Sequence, residues 1–201
     1  MRRLLLGLFF VALMATPALA KKYSSSFSFT VDVPDYWLVL TRDEVAKNPE
    51  LYGGEGEAPE GLDSAMWEAI QGDIKAGKIE YWYDLSTTRK DFKDNINVRK
   101  EIAALPTAEE LPSVCQMLPG WLSTMFGRDI KMHGCEFRTA GGKHSLFLDF
   151  DGVLPDTRSM QYQIQQPGGA QIQITATCVD ERVESVRKDL DAMMRSIKFA
   201  D

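Results

Sequence analysis

The chain has 201 residues, a formal net charge of −6 from 29 acidic and 23 basic side chains, and an apolar fraction of 44%. Its length suffices for a domain with a real core. The acidic balance, with no concentrated Lys/Arg patch, excludes a general electrostatic attraction to nucleic acid or anionic lipid.

The first twenty residues read as an export signal: Arg2 and Arg3 precede the apolar run LLLGLFFVALM, and Ala18-Leu19-Ala20 supplies an A-x-A cleavage site. The run is too short to span a bilayer comfortably, and no later stretch is long and apolar enough to do so. A signal peptide over 1–20 and one domain over 21–201 are therefore expected, with the product periplasmic or secreted and without stable membrane insertion. Ser24-Ser25-Ser26 then reads as a solvated arm.

FSFTVDVP alternates strictly, which argues for a half-buried strand ending at Pro34, with Trp37 at a turn covering the core edge. TRDEVAKN reads as a short helix capped by Thr41, and the Gly/Pro/Glu-rich stretch Tyr52 to Gly61 as a surface loop. Leu62, Met66, Ile70 and Ile74 recur every four residues and Gly77 follows, so a helix is predicted from about Asp63 to Lys75. KIEYWYDL and DNINVRKEI read as the strands of a long hairpin. Thr107 and Glu110 stand at capping-box spacing before a helical region reaching Gly127, which Pro112 and Pro119 should divide into two short helices.

Four strands follow, Ile130–Thr139, Lys143–Asp151, Met160–Gln166 and Ala170–Cys178, separated by short turn-forming stretches that only antiparallel pairing can accommodate. Val183, Val186, Leu190, Met193 and Ile197 mark one face of a final helix, with Asp180 as its N-cap, and SIKF reads as a closing edge strand. The expected fold class is α+β, with helices covering a central, mainly antiparallel sheet.

Of the residues that carry chemistry, Asp149 and Asp151 attract attention first. The segment DFDG is nearly the signature of dehalogenase-like phosphatases, in which one aspartate attacks phosphorus and a second manages the leaving group's proton beside a magnesium ion. Its context argues against that reading. Such phosphatases place the segment on the first strand of a parallel sheet, whereas here the flanking strands are antiparallel and only 50 residues follow Asp151. Asp and Gly are also ordinary at a strand-to-turn junction, across which Arg158 is placed to pair with an aspartate.

Three cysteines in an exported chain leave one unpaired. Cys135 shares a face with Phe137, and Cys178 shares one with Ile172 and Ile174, so both point inward. A Cys135–Cys178 disulfide is the leading expectation, with Cys115–Cys135 and no bridge as alternatives. His133 and His144 flank one turn but offer too little for a zinc site, so no metal or other cofactor is assigned. Tyr81, Trp82, Tyr83 and Trp121 form the candidate contact surface, although EYWYD is also what a strand buried on both faces requires.

FSFTVDVPDYW, DNINV, the glycine-turn hairpins and the ending ITATCVDERVESVRKDLDAMMRSIKF together resemble the PsbP-like superfamily, including the DcrB-like exported bacterial proteins. The resemblance implies an α/β/α sandwich on an antiparallel sheet, without a shared catalytic centre and with functions exercised by binding. The expected function is that of an exported, non-enzymatic binding or accessory protein of the bacterial cell envelope with a protein partner. The alternatives are the phosphatase and an immunity or chaperone-like protein that masks a toxin or effector.

Overall fold

The computed structural model describes residues 20–48, 64–87 and 92–200. The expected export signal, up to Leu19, and the loop expected over Tyr52 to Gly61 lie outside them.

Ten strands and four helices are described. In chain order they are β1 (Ala20–Ser24), β2 (Phe29–Pro34), β3 (Trp37–Leu40), α1 (Arg42–Lys47), α2 (Ser64–Lys75), β4 (Ile79–Asp84), β5 (Asn95–Ile102) and α3 (Leu111–Phe126). Then come β6 (Met132–Ala140), β7 (Lys143–Asp151), β8 (Thr157–Gln165), β9 (Ala170–Val179), α4 (Val183–Ser196) and β10 (Lys198–Phe199). Seven strands form one antiparallel sheet in the order β3-β4-β5-β9-β8-β7-β6, and a second sheet has the order β1-β2-β10. Helices pack on both faces of the large sheet. The α+β class and the α/β/α layering are as expected.

The main core lies on one face of the large sheet. Trp82, Ile96, Val98, Met160, Ile164, Ile172, Ile174 and Ala176 project from alternate positions of the central strands to meet Phe29, Val31 and Val33 of β2 and Val186, Leu190 and Met193 of α4. Each such aliphatic or aromatic side chain contributes about 1.5–3 kcal/mol when fully buried. On the opposite face there are two smaller clusters. One joins Leu40 and Tyr83 to Trp67 and Ile74 of α2, and the other joins Leu146, Leu148 and Phe150 to Leu122 of α3.

Several expectations need correcting. Trp37 opens a strand, where its indole is buried and donates to Asp189 Oδ2 at 3.2 Å. The predicted pair of short helices is one helix, α3, with Pro119 inside it. Leu111, Leu118, Leu122 and Phe126 pack along the cluster under it, which holds the helix together across the missing backbone donor. Thr107 and Glu110 do form their reciprocal bonds, Thr107 N to Glu110 Oε2 at 2.8 Å and Glu110 N to Thr107 Oγ1 at 3.3 Å, in the turn that leads into α3. Asp180 does not cap α4 through its side chain; a short 3-10 turn, Asp180–Arg182, precedes that helix.

The β6–β7 turn docks on the C-terminal end of α4. The Gly141 N–H donates to the Met194 carbonyl at 2.9 Å, and a Cβ at this left-handed position (φ 56°) would sit 2.7 Å from the Ile197 carbonyl oxygen.

The serine stretch is not a free arm. Ser24 ends β1, and Glu80, fully buried on β4, accepts from Ser26 N at 2.6 Å and Ser25 Oγ at 3.0 Å. Burial dominates and pushes the Glu80 carboxyl up to about 7, against the lowering effect of the serine hydrogen bonds. Between the ordinary glutamate value and about 7, the folded chain therefore holds a proton that the unfolded chain has released. Stability should fall as pH rises through that window, by on the order of 3 kcal/mol in total. Denaturant titrations at pH 5 and pH 8 check this: the wild type should lose stability relative to Glu80→Gln, whose side chain cannot ionise.

Candidate functional site

Helix α3 contains no charged residue in its sixteen positions. Its apolar residues fall in two stripes. Leu111, Leu118, Leu122 and Phe126 face the sheet, while Met117, Trp121 and Met125 point outward with exposures of 64%, 63% and 55%. Val114 and Leu118 border the outer stripe and with Met117 and Trp121 line a shallow depression of about 280 Å³. A surface helix normally turns charged side chains to water; a contiguous uncharged stripe with Trp and Met at its centre has the composition of a protein contact surface. A separate exposed apolar pair lies in the turn held by Arg128, just after the C-terminal end of α3. There Arg128 donates to the carbonyls of Gly152 (3.1 Å) and Val153 (3.4 Å), and holds in place the β7–β8 turn that exposes Val153 and Leu154.

A disulfide fastens this helix to the sheet. Cys115 is bonded to Cys135 of β6, and Cys178 is free and buried. The expected Cys135–Cys178 bridge is therefore replaced by its alternative. Cys135 and Cys178 are both inward, as their strand patterns require, but inward on opposite faces: Cys135 packs in the cluster under α3 and Cys178 in the main core. Two strands, β7 and β8, also lie between β6 and β9. Burial pushes the Cys178 thiol up to about 12, so it is inert as a nucleophile.

The four aromatic residues chosen from the sequence do not form one surface. Trp82 has no solvent exposure and belongs to the main core, which removes it from any contact site. Tyr83 is buried against Trp67, and Tyr81, half-buried, stacks on Tyr83 at 5.7 Å. Trp121 alone is openly exposed, on a different part of the molecule. Met117 and Met125, its neighbours, were legible in principle, because the helix carries more apolar positions than one buried stripe needs.

Asp149 and Asp151 are committed to structure. Asp149 is buried and binds Arg158 at 2.5 Å and Arg187 of α4 at 2.7 Å. Burial is the largest influence and opposes its ionisation, but the hydrogen bonds and charges of the two guanidinium groups outweigh it and hold the carboxyl below the usual range. Asp151 is likewise held low: burial opposes ionisation, and contacts with His133 (2.6 Å) and the Lys131 N–H (3.1 Å) overcome it. Gly152 is required by the turn itself, since its N–H donates to the Thr157 carbonyl at 2.7 Å and a Cβ would lie 2.1 Å from Thr157 Oγ1. The pairings of β7 with β6 and β8 are antiparallel, so the parallel sheet of the phosphatase reading is not present around DFDG. His133 and His144 do not meet: one binds Asp151 and the other packs on Phe137 near the opposite end of the β6–β7 pair.

No protein-family model matches the sequence, and no curated protein matches it. Solved structures do. The chain is similar to cyanobacterial PsbP (CyanoP) from Synechocystis sp. PCC 6803, with a TM-score of 0.53 and 14% identity over 94% of this chain and 97% of that one. The fold is PsbP-like. Two further PsbP-like neighbours span similar shares. LpqN of Mycobacterium tuberculosis, described as involved in cell envelope biogenesis, has a TM-score of 0.52 and 15% identity over 90% of this chain and 91% of its own. The Saccharomyces cerevisiae Ran-binding protein Mog1p has a TM-score of 0.51 and 11% identity over 90% and 96%.

Three outcomes are expected. Cys115 and Cys135 stand 20 positions apart; closing a loop of this size stabilises by about 3 kcal/mol, so reduction should lower the melting temperature by roughly 6–12 °C. Alkylation of the unfolded, unreduced chain should label Cys178 alone; label on Cys115 would mean the other pairing. Asp149→Asn should destabilise by on the order of 2 kcal/mol, because two partly buried guanidinium groups lose their counter-charge, measured by urea unfolding at neutral pH. In the wild type the ionised Asp149 contributes fully above the ordinary carboxylate range, and its contribution fades as pH falls through its lowered value.

Proposed function

We propose that the protein is an exported, non-catalytic binding or accessory protein of the bacterial cell envelope that engages a protein partner through the outer face of α3. The observation that carries this reading is the uncharged helix with Met117, Trp121 and Met125 turned to solvent. A hydrophobic centre built around a tryptophan is the usual source of binding energy in protein interfaces. The Cys115–Cys135 tether supports the reading twice. It limits the conformational freedom that the helix loses on binding, and it suits an oxidising compartment outside the cytosol. The similarity to a cell-envelope protein and to a Ran-binding protein is in keeping with a binding role.

The partner favoured is a protein presenting an aliphatic, uncharged patch. An acidic chain gains nothing from an anionic lipid surface, and a charged partner surface would be desolvated against α3 without a counter-charge.

A photo-crosslinking residue at position 125 tests the proposal in cells. One heterologous protein should be captured in near-stoichiometric amount, Trp121→Glu should abolish its capture with the melting temperature unchanged, and the purified pair should re-form in vitro. Capture of a second copy of this chain, capture that survives Trp121→Glu, or no capture at all would each overturn the reading.

A further inference from the structure

Between the clusters under α2 and α3, the same face of the large sheet turns polar. One cross-strand row runs Tyr81, Asn97, Thr175, Gln161, Leu148, and the adjacent row runs Arg99, Gln173, Gln163, Leu146. The apolar ends of these rows are covered by the helices. The middle forms a strip of amides and hydroxyls on β5, β9 and β8, half-buried or deeper except for Arg99. At one end the strip is closed by the chain after β5, where Leu105 N donates to Gln165 Oε1 at 3.0 Å. Near that closure Gln171 Oε1 is buried without a hydrogen-bond partner among the described residues. A buried acceptor left unpaired costs about 1–3 kcal/mol, which a sheet face built only for packing would avoid by using valine or isoleucine.

The strip is pre-organised. Gln161 Nε2 donates to Thr175 Oγ1 at 2.9 Å, Gln163 Nε2 to Gln161 Oε1 at 2.7 Å, and Arg99 Nε to Gln173 Oε1 at 3.2 Å. These bonds fix the side chains and still leave donors and acceptors unused on Gln163, Gln173 and Asn97. Asn97 makes no side-chain hydrogen bond to another described residue. Arg99 also lies 3.4 Å from Glu101, so the surface carries no net formal charge.

We propose that this strip binds a neutral oligosaccharide. Hydroxyl groups both donate and accept, as the amide array requires, whereas a charged ligand would find no free counter-charge and an apolar one would leave the amides unpaired. At the border, the half-buried Tyr81 offers apolar surface of the kind on which the C–H face of a sugar ring rests, and it is held by its stacking on Tyr83. An extended peptide is disfavoured. Peptides add to a sheet at its edge, where backbone groups are free, and the backbone of β5, β9 and β8 is already paired on both sides.

The test is a nuclear magnetic resonance titration of the purified protein with chitotetraose and with maltotetraose, reading the side-chain amide signals. At least one sugar should shift the amides of Asn97, Gln161 and Gln163 and leave the Trp121 indole unmoved. Asn97→Ala and Gln161→Ala should each weaken binding roughly 2- to 10-fold; Asn97→Asp, similar in shape but charged, should also weaken it and serves if the alanine variants do not fold. No shift with either sugar up to about 10 mM, shifts insensitive to all three variants, or tighter binding of a neutral peptide such as Gly-Asn-Thr-Gln-Gly to the same amides would overturn the proposal. Neither result bears on the α3 surface, whose reporter is Trp121.

Discussion

The structure depends on the register of one strand. β9 pairs along nearly its whole length with β5 on one side and β8 on the other, and it separates two environments that tolerate no exchange. Its even-numbered residues, Ile172, Ile174, Ala176 and Cys178, fill the main core, while Gln171, Gln173, Thr175 and Thr177 face the opposite side. A slip of one residue would drive amides into the core and isoleucines into the polar strip. The strand's strict alternation therefore fixes its neighbours, its neighbours fix the position of the outer strands, and those carry the helices.

Charge supports this arrangement where packing ends. Arg182, entering α4, pairs with both Asp84 and Asp94, two fully buried carboxylates near the ends of β4 and β5. Asp94 also accepts the Val179 N–H at the end of β9. Asp149 plays the corresponding part on β7, tying it to β8 and α4 through Arg158 and Arg187. Buried ions of this kind add little net stability but are costly to break, so they favour one seating of α4 over others.

Elements with a clear period and a clear stop were legible in the sequence. β7 is bounded by its turns as expected, α1 is capped by Thr41 through the Glu44 N–H, and the face of α4 follows from Val186, Leu190 and Met193. What escaped notice depends on relations that a local pattern cannot express. Alternation shows that Cys135 and Cys178 point inward but not that there are two interiors, and that is what decides the disulfide. Pro119 is a helix breaker by local rules, yet the packing of α3 overrides it. Trp82 and Trp121 are equally conspicuous in the sequence, and only the layering of the sheet separates a core residue from an exposed one. The amides of the polar strip belong to three strands, and their meeting follows from strand order alone.

The small sheet brings the two ends of the described chain together. β10 pairs with β2, whose other edge is taken by β1, and Ala200 N donates to the Ser28 carbonyl at 2.9 Å. A chain made from its N-terminus thus carries β2 with one edge unpaired until β10 emerges. An open edge is what invites pairing with other chains. Contacts spanning nearly the whole sequence also slow folding. A carrier that shields the growing chain would have most to gain from covering residues 29–34 until residues 198–199 arrive to complete the sheet.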